Sequence, residues 1–255
     1  MTMKNPTNGD DPLDVLAFGA HPDDVELTCA GTLIKLARMT YRTGVVALTA
    51  GELGTRGGAD VRAREFAAAA ALLEVTHHSI LGLPDGDLRP SPEQKLAVIG
   101  AIRAWRPRIV LAPYWEDRHP DHAGGGRLVQ EAAFLAGLKK IDTGQEAFRP
   151  NRVLYYASRY EFRPSFIVDI SETHARKLEA IRAYRSQFFH GSGDPAGEEH
   201  TNISHPGFLE AVVARARQYG AYIGVEYGEP FLVREPLRLD DPVAFFGPGY
   251  LESFL

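Results

Sequence analysis

Residues Leu13–Asp24 read LDVLAFGAHPDD. The first half, Leu13–Phe18, is a short and nearly continuous apolar run ended by glycine, the pattern of a strand buried on both faces. The second half, GAHPDD, breaks that strand and leads into a helical apolar pattern over Val25–Arg38. The same strand–helix sequence recurs down the chain. Gly44–Thr49 (GVVALT) reads as a second strand, followed by the glycine-rich AGELGTRGGAD and a helix over Val61–Leu73. In that helix the run Ala67–Ala70 favours helix and permits close packing. Ser79–Leu83 is a third strand, closed by the turn-rich LPDGDLRP. Ser91–Pro92–Glu93 then opens a helix to about Trp105, with proline where a helix tolerates it. Arg108–Ala112 (RIVLA) is a fourth strand, and Pro120–Leu138 the helix after it.

Such alternation predicts an α/β fold: a Rossmann-like, doubly wound sandwich around a mostly parallel sheet. Val153–Ala157 and Phe166–Val168 are further strand candidates. Helices are expected over Glu172–Phe188 and Phe208–Gly220, with a loop at His190–Pro206 between them. No repeat or long linker divides the chain, so residues 13–255 are expected to form one domain with the C-terminal third folded onto the sheet. The polar, proline-broken stretch at residues 1–12 reads as a flexible tail.

Among the 255 residues, hydrophobic side chains make up 44% and charged ones 24%, a soluble globular composition. The formal charge of −5 argues against nucleic acid or an anionic membrane as the main partner. The longest apolar run, Phe66–Leu73, is too short to span a bilayer. Cys29 is the one cysteine, so no internal disulfide can form, which suits a reducing compartment. A cytoplasmic location is the expectation.

Two clusters carry the chemistry: His21-Pro22-Asp23-Asp24 and His119-Pro120-Asp121-His122. Each follows a parallel strand and precedes a helix, so both belong on the carboxyl edge of the sheet, where open α/β folds bind ligands. A lone histidine is more often solvated or hydrogen-bonded structure, HPDD alone can be a helix cap, and HxxH alone is a weak signal. Together, at matching topological positions, they point to a metal. A catalytic zinc takes three protein ligands and keeps a position for water, whose pKa it lowers to about 7. His21, Asp24 and His122 form such a set. Asp23 is then the free carboxylate for a general base. Asp121 is expected to orient His119 and favour its protonated form, leaving His119 to stabilise an oxyanion or protonate the leaving amine.

The stretches LAFGAHPDDVEL, GELGTRG, LPDGDL and APYWEDRHPDH resemble the LmbE-like family, the N-acetylglucosaminyl-phosphatidylinositol de-N-acetylases and their bacterial relatives. The likeness is specific over Leu13–Leu138 and looser at VEYGEPF. It implies zinc on His21, Asp24 and His122, Asp23 as base, and His119 with Asp121 as the acid or oxyanion pair. EDRHPDHA, VDIS at Val168–Ser171 and AYRSQF at Ala183–Phe188 look like the bacillithiol-biosynthesis deacetylases, which hydrolyse N-acetylglucosaminyl-malate. That substrate is a dicarboxylate, so Arg56 and Arg118 are candidate contacts at the pocket mouth. The family also forms hexamers or smaller assemblies, implying a homo-oligomer.

Competing readings are a deacetylase of a chitobiose or mycothiol-type precursor, and a metal-bearing sugar-binding protein without turnover. A dinucleotide-binding protein is disfavoured, because no G-x-G-x-x-G follows the first strand. Fe(II), Co(II) or Mn(II) suit the same ligands as zinc. His77–His78, His190, His200 and His205 read as surface groups, and Cys29 as a small buried residue. Gly124–Gly126 point to a close backbone approach or a frayed first turn. Glu226 and Tyr227 receive no role.

Overall fold

A computed structural model of the chain describes residues 12–188, 201–205 and 207–247. Its strands are β1 (Val15–Gly19), β2 (Thr43–Ala47), β3 (His77–Ile80), β4 (Ile109–Pro113), β5 (Arg152–Tyr156), β6 (Phe166–Asp169) and β7 (Gly228–Val233). The helices are α1 (Asp24–Thr28), α2 (Ala30–Arg38), α3 (Ala59–Leu72), α4 (Pro92–Trp105), α5 (Pro120–Leu135), α6 (His174–Arg182), α7 (Phe208–Ala221) and α8 (Pro242–Phe246). The strands form a seven-stranded sheet in the order β3-β2-β1-β4-β5-β7-β6. From β3 through β5 every pairing is parallel, whereas β7 runs antiparallel to both of its neighbours.

Strand alternation explains the two cores. Leu16 and Phe18 point to one face and pack with α4 and α5 through Val98, Ile102, Leu128 and Val129. Val15 and Ala17 point to the other and meet α2, α3 and α6 through Leu33, Phe66 and Ile181. Both faces are covered, so the central strands β1, β2 and β4 read as nearly unbroken apolar runs. The C-terminal third extends the sheet with β7 and β6 and adds α6 and α7 to the second face. Among the described residues no helix is long and apolar enough to cross a membrane.

Three expectations are corrected. The first helix breaks at Cys29 (φ −127°, ψ 14°), where the Glu229 carboxylate accepts from the Gly31 and Thr32 amides at 3.0 and 2.7 Å. Glu229 thus caps α2 from β7, a contact nearly two hundred residues away in sequence. The third strand begins at His77, whose ring packs on Trp105 with centroids 3.8 Å apart. The helix expected over Glu172–Phe188 ends at Arg182, and buried Tyr184 and Phe188 then anchor a turn. β7 and α8 were not anticipated. The expected tail (apart from Pro12), His190 and His200 lie outside the described residues.

Consecutive connections leave β1 and β4 in opposite directions, so the crevice between these neighbours is the topological switch point of the sheet. Both histidine-carboxylate clusters emerge there, one after Gly19 and one after Pro113.

Candidate active site

The HPDD turn is wound tightly. Asp23 holds φ 110°, a left-handed value that costs a non-glycine residue on the order of 1–3 kcal/mol. This turn lets the His21 amide donate to Asp24 Oδ2 at 2.8 Å and aims both side chains into the crevice. His122 arrives on the first turn of α5. That helix comes in close because it carries glycines: a Cβ on Gly124 would strike the Leu88 carbonyl, and one on Gly126 the Pro113 carbonyl. The close-approach reading of Gly124–Gly126 therefore applies.

Asp24 sits between the two imidazoles, with Oδ1 3.1 Å from His122 Nε2 and Oδ2 3.5 Å from His21 Nδ1. Two ligand atoms bound at about 2.0–2.1 Å in a tetrahedral site stand roughly 3.3 Å apart, so these donors suit a single ion. The outward nitrogens are also engaged: His122 Nδ1 meets Asp117 at 3.1 Å, and His21 Nε2 meets Asp85 and Asp121 at 3.2 and 3.3 Å. This is the carboxylate–histidine arrangement that orients metal ligands. Burial works against charge on His122, yet the adjacent Asp24 and Asp117 override it and raise its pKa to about 9. Burial likewise opposes ionisation of Asp24, and His122 and His21 hold its carboxyl well below the usual range.

Asp23 is buried against this set. Loss of solvent raises its carboxyl to about 6, while the Arg62 cation pulls the other way. Arg62 Nη2 lies 3.4 Å from Asp23 Oδ2 and donates to the Pro22 carbonyl at 2.6 Å; Nη1 donates to the Gly51 carbonyl at 3.1 Å. Gly51 has φ +67°, and a side chain there would occupy the guanidinium's place.

His119 is the N-cap of α5, and its Nδ1 accepts the Asp121 backbone N–H at 3.2 Å, which leaves the ring proton on Nε2. The expected contact between the Asp121 carboxylate and His119 is replaced by another. That carboxylate accepts from the Gly86 and Leu88 amides at 2.7 and 3.0 Å and faces His21 instead. A protonated His119 is not favoured either. Partial burial and the neighbouring His122 and His21 hold its pKa below the ordinary value.

Arg118 lines the cleft, as expected of a pocket-mouth residue. Arg56 does not: its side chain is among the most buried in the protein and forms no part of the cleft wall. Sequence reasoning passed over Asp85, Asp117 and Arg62. The first two stand inside the quoted LPDGDL and EDRHPDH stretches, so a carboxylate beside each ligand histidine was there to be noticed. Arg62 had no such signal, because a helical arginine after a loop is ordinarily solvated. Cys29 is buried, as expected, and the ring of His78 packs edge-on against Phe66.

The site opens into a cleft of about 620 Å³, walled by the loops at residues 53–55, 118–119 and 158–159 and by the Phe208–Arg215 face of α7. Pockets of about 300–1,000 Å³ are of the size that takes up a small-molecule ligand. A profile for the PIG-L family, described as GlcNAc-PI de-N-acetylase, matches residues 16–133. A diacetylchitobiose deacetylase from Thermococcus kodakarensis is 32% identical over 187 residues, which span 68% of this chain and 70% of that protein. The chain belongs to the PIG-L family.

Within this family, a probable N-acetyl-alpha-D-glucosaminyl L-malate deacetylase from Bacillus anthracis is 28% identical over 68% of this chain and 81% of its own length. The crystal structure of the conserved protein TT1542 from Thermus thermophilus superposes with a TM-score of 0.81 at 40% identity, covering 90% of this chain and 98% of that one. The PIG-L match runs from β1 into α5, so it contains every residue around the crevice discussed above except those on α7 and the segment after β5.

Proposed function

We propose that this PIG-L protein is a zinc-dependent N-deacetylase of an N-acetylglucosamine conjugate, with N-acetylglucosaminyl-L-malate as its substrate in a cytoplasmic bacillithiol-type pathway. The observation that carries the reading is the converging donor set of His21, Asp24 and His122, with the buried carboxyl of Asp23 beside it in a cleft of small-molecule size. Two imidazoles and a carboxylate, each oriented by a further carboxylate or amide, fit a borderline-soft divalent ion such as zinc. When bound, such an ion supplies Lewis acidity to the acetamide carbonyl and to water.

The chain's own groups then have distinct tasks. Asp23 removes a proton from the attacking water as its oxygen bonds to the carbonyl carbon. His119, neutral and carrying its proton on Nε2, donates a hydrogen bond to the developing oxyanion. As the C–N bond breaks, the proton on Asp23 passes to the sugar nitrogen, giving the amine and acetic acid, whose remaining proton ends on the amine at neutral pH to leave acetate and ammonium. Arg62 keeps Asp23 facing the cleft through its grip on Pro22.

The malate assignment draws on the VDIS and AYRSQF stretches, on Arg118, and on the B. anthracis relative. The T. kodakarensis relative favours a second reading, deacetylation of a chitobiose-type sugar. The test is acetate release from the malate conjugate, from diacetylchitobiose and from plain N-acetylglucosamine, by zinc-loaded and chelator-stripped protein. Fast zinc-dependent release from the malate conjugate is the expected result, together with a lower Tm for the stripped protein. Faster release from diacetylchitobiose would move the substrate assignment, and no release from any of the three would sink the deacetylase reading.

A further inference from the structure

The cleft is electrically polar. At its floor stand the carboxylates Asp23, Asp24 and Asp85 together with Arg62, His21 and His122. On its walls stand three arginines from separate elements: Arg118 before α5, Arg159 after β5 and Arg215 on α7. Among the described residues, none of these three guanidinium groups is paired with a carboxylate. Arg215 instead spends its terminal nitrogens on main-chain carbonyls, Nη1 on Ser158 and Nη2 on Leu27 at 3.2 Å. The guanidinium of Arg159 lies over the Phe208 ring, 5.4 Å from its centroid, and the residue is exposed and lines the cleft.

The backbone that carries Arg159 is held on both sides. Its amide donates to Asp117 Oδ2 at 2.9 Å, and the carbonyl just before it receives Arg215. The other oxygen of Asp117 holds His122 Nδ1 at 3.1 Å and the His119 amide at 2.9 Å. One carboxylate therefore sets the distance between the reacting end of the cleft and the backbone of Arg159. A surface arginine kept only for solubility needs no such anchorage.

We infer that Arg159, with Arg118 on the wall of the same cleft, forms an anion subsite that selects N-acetylglucosamine conjugates bearing a carboxylate or phosphate on the aglycone side. Arg215 is a positioning residue that clamps the Ser158–Arg159 segment. The inference rests on the deacetylase reading and deepens it. An anionic aglycone is attracted to the arginine wall, away from the metal-ligand end of the cleft, so the contact that binds it also points the acetamide inward.

The test compares kcat/KM for N-acetylglucosaminyl-malate, N-acetylglucosamine 1-phosphate and neutral diacetylchitobiose, in wild type and Arg159→Gln. Wild type is expected to prefer at least one anionic substrate over the neutral one by about tenfold or more, and the preference to shrink as sodium chloride is raised. Arg159→Gln should cut the anionic-to-neutral ratio about tenfold, mainly through KM, the loss typical of one charge-assisted contact. Which anion is preferred separates a carboxylate ligand from a phosphate. An unchanged ratio in Arg159→Gln, or equal wild-type rates on charged and neutral substrates, would overturn the subsite and leave the deacetylase standing. No turnover of any acetylated sugar would overturn both.

Discussion

Asp23 combines a strained backbone, full burial and a cation at 3.4 Å, and each bears on its chemistry. Asp23→Asn keeps size and hydrogen bonding while removing the base, so kcat should fall by about 10²–10⁴-fold with zinc content and Tm retained. A variant keeping more than a tenth of wild-type kcat would contradict the assigned role. The pH dependence follows from the sign of the shift. A base works only when deprotonated, and this carboxyl is raised to about 6, so kcat/KM should decline as pH falls through about 6. Arg62 lowers that value, so Arg62→Met should move the acid limb of the profile to higher pH. A limb that stayed in place would mean that another group controls it. The role of Asp23 was legible in HPDD because the motif offers two carboxylates and the metal uses one. Its pairing with Arg62 was not, since it joins residues 39 apart across a loop.

At the scale of an element, α5 shows two opposing effects of glycine. In an ordinary helix interior, replacing glycine with alanine stabilises by roughly 0.5–1 kcal/mol. Here a methyl group on Gly126 would meet the Pro113 carbonyl, and overpacking against rigid backbone costs about 1–3 kcal/mol. The steric cost wins, so Gly126→Ala should lower Tm and, by pushing the first turn outward, weaken zinc binding at His122. A thermal melt and a zinc titration check both, and a raised Tm would show that the helix relaxes freely. The start of α5 was readable from its proline, while its glycines left a close approach and a frayed first turn equally open. What comes close, the Leu88 and Pro113 carbonyls, belongs to other segments.

For the whole molecule, acid stability has an identifiable contributor. His174 is buried, its ring stacks on Tyr227 with centroids 3.7 Å apart, and neither ring nitrogen has a partner among the described residues. Burial, helped by Lys177, lowers its pKa to about 4. A histidine depressed from its ordinary 6.5 takes up protons more readily when unfolded, so stability falls as pH drops from about 6.5 to about 4. His174→Phe keeps the stacked ring and removes the titration. It should flatten the pH dependence of Tm across that window and raise stability near neutrality by about 1–3 kcal/mol, the cost of an unsatisfied buried polar group. An unaltered slope between pH 4 and 6.5 would assign the effect elsewhere, such as to half-buried His77, whose pKa burial also lowers to about 4.

The sequence alone determined the β–α alternation, the parallel heart of the sheet, and the meeting of two histidine-carboxylate clusters. These are local or periodic properties: strand burial writes itself as an apolar run, and a ligand histidine must follow the strand that delivers it. The tertiary structure alone decided the rest. It broke the first helix at Cys29, because the capping carboxylate comes from β7. It turned the Asp121 carboxylate from His119 to His21, because the Gly86 and Leu88 amides hold it there. It buried Arg56 and brought Arg62 and Arg159 to the cleft instead. A charged side chain carries no periodic signal for its partner, so its role is settled only when distant segments pack.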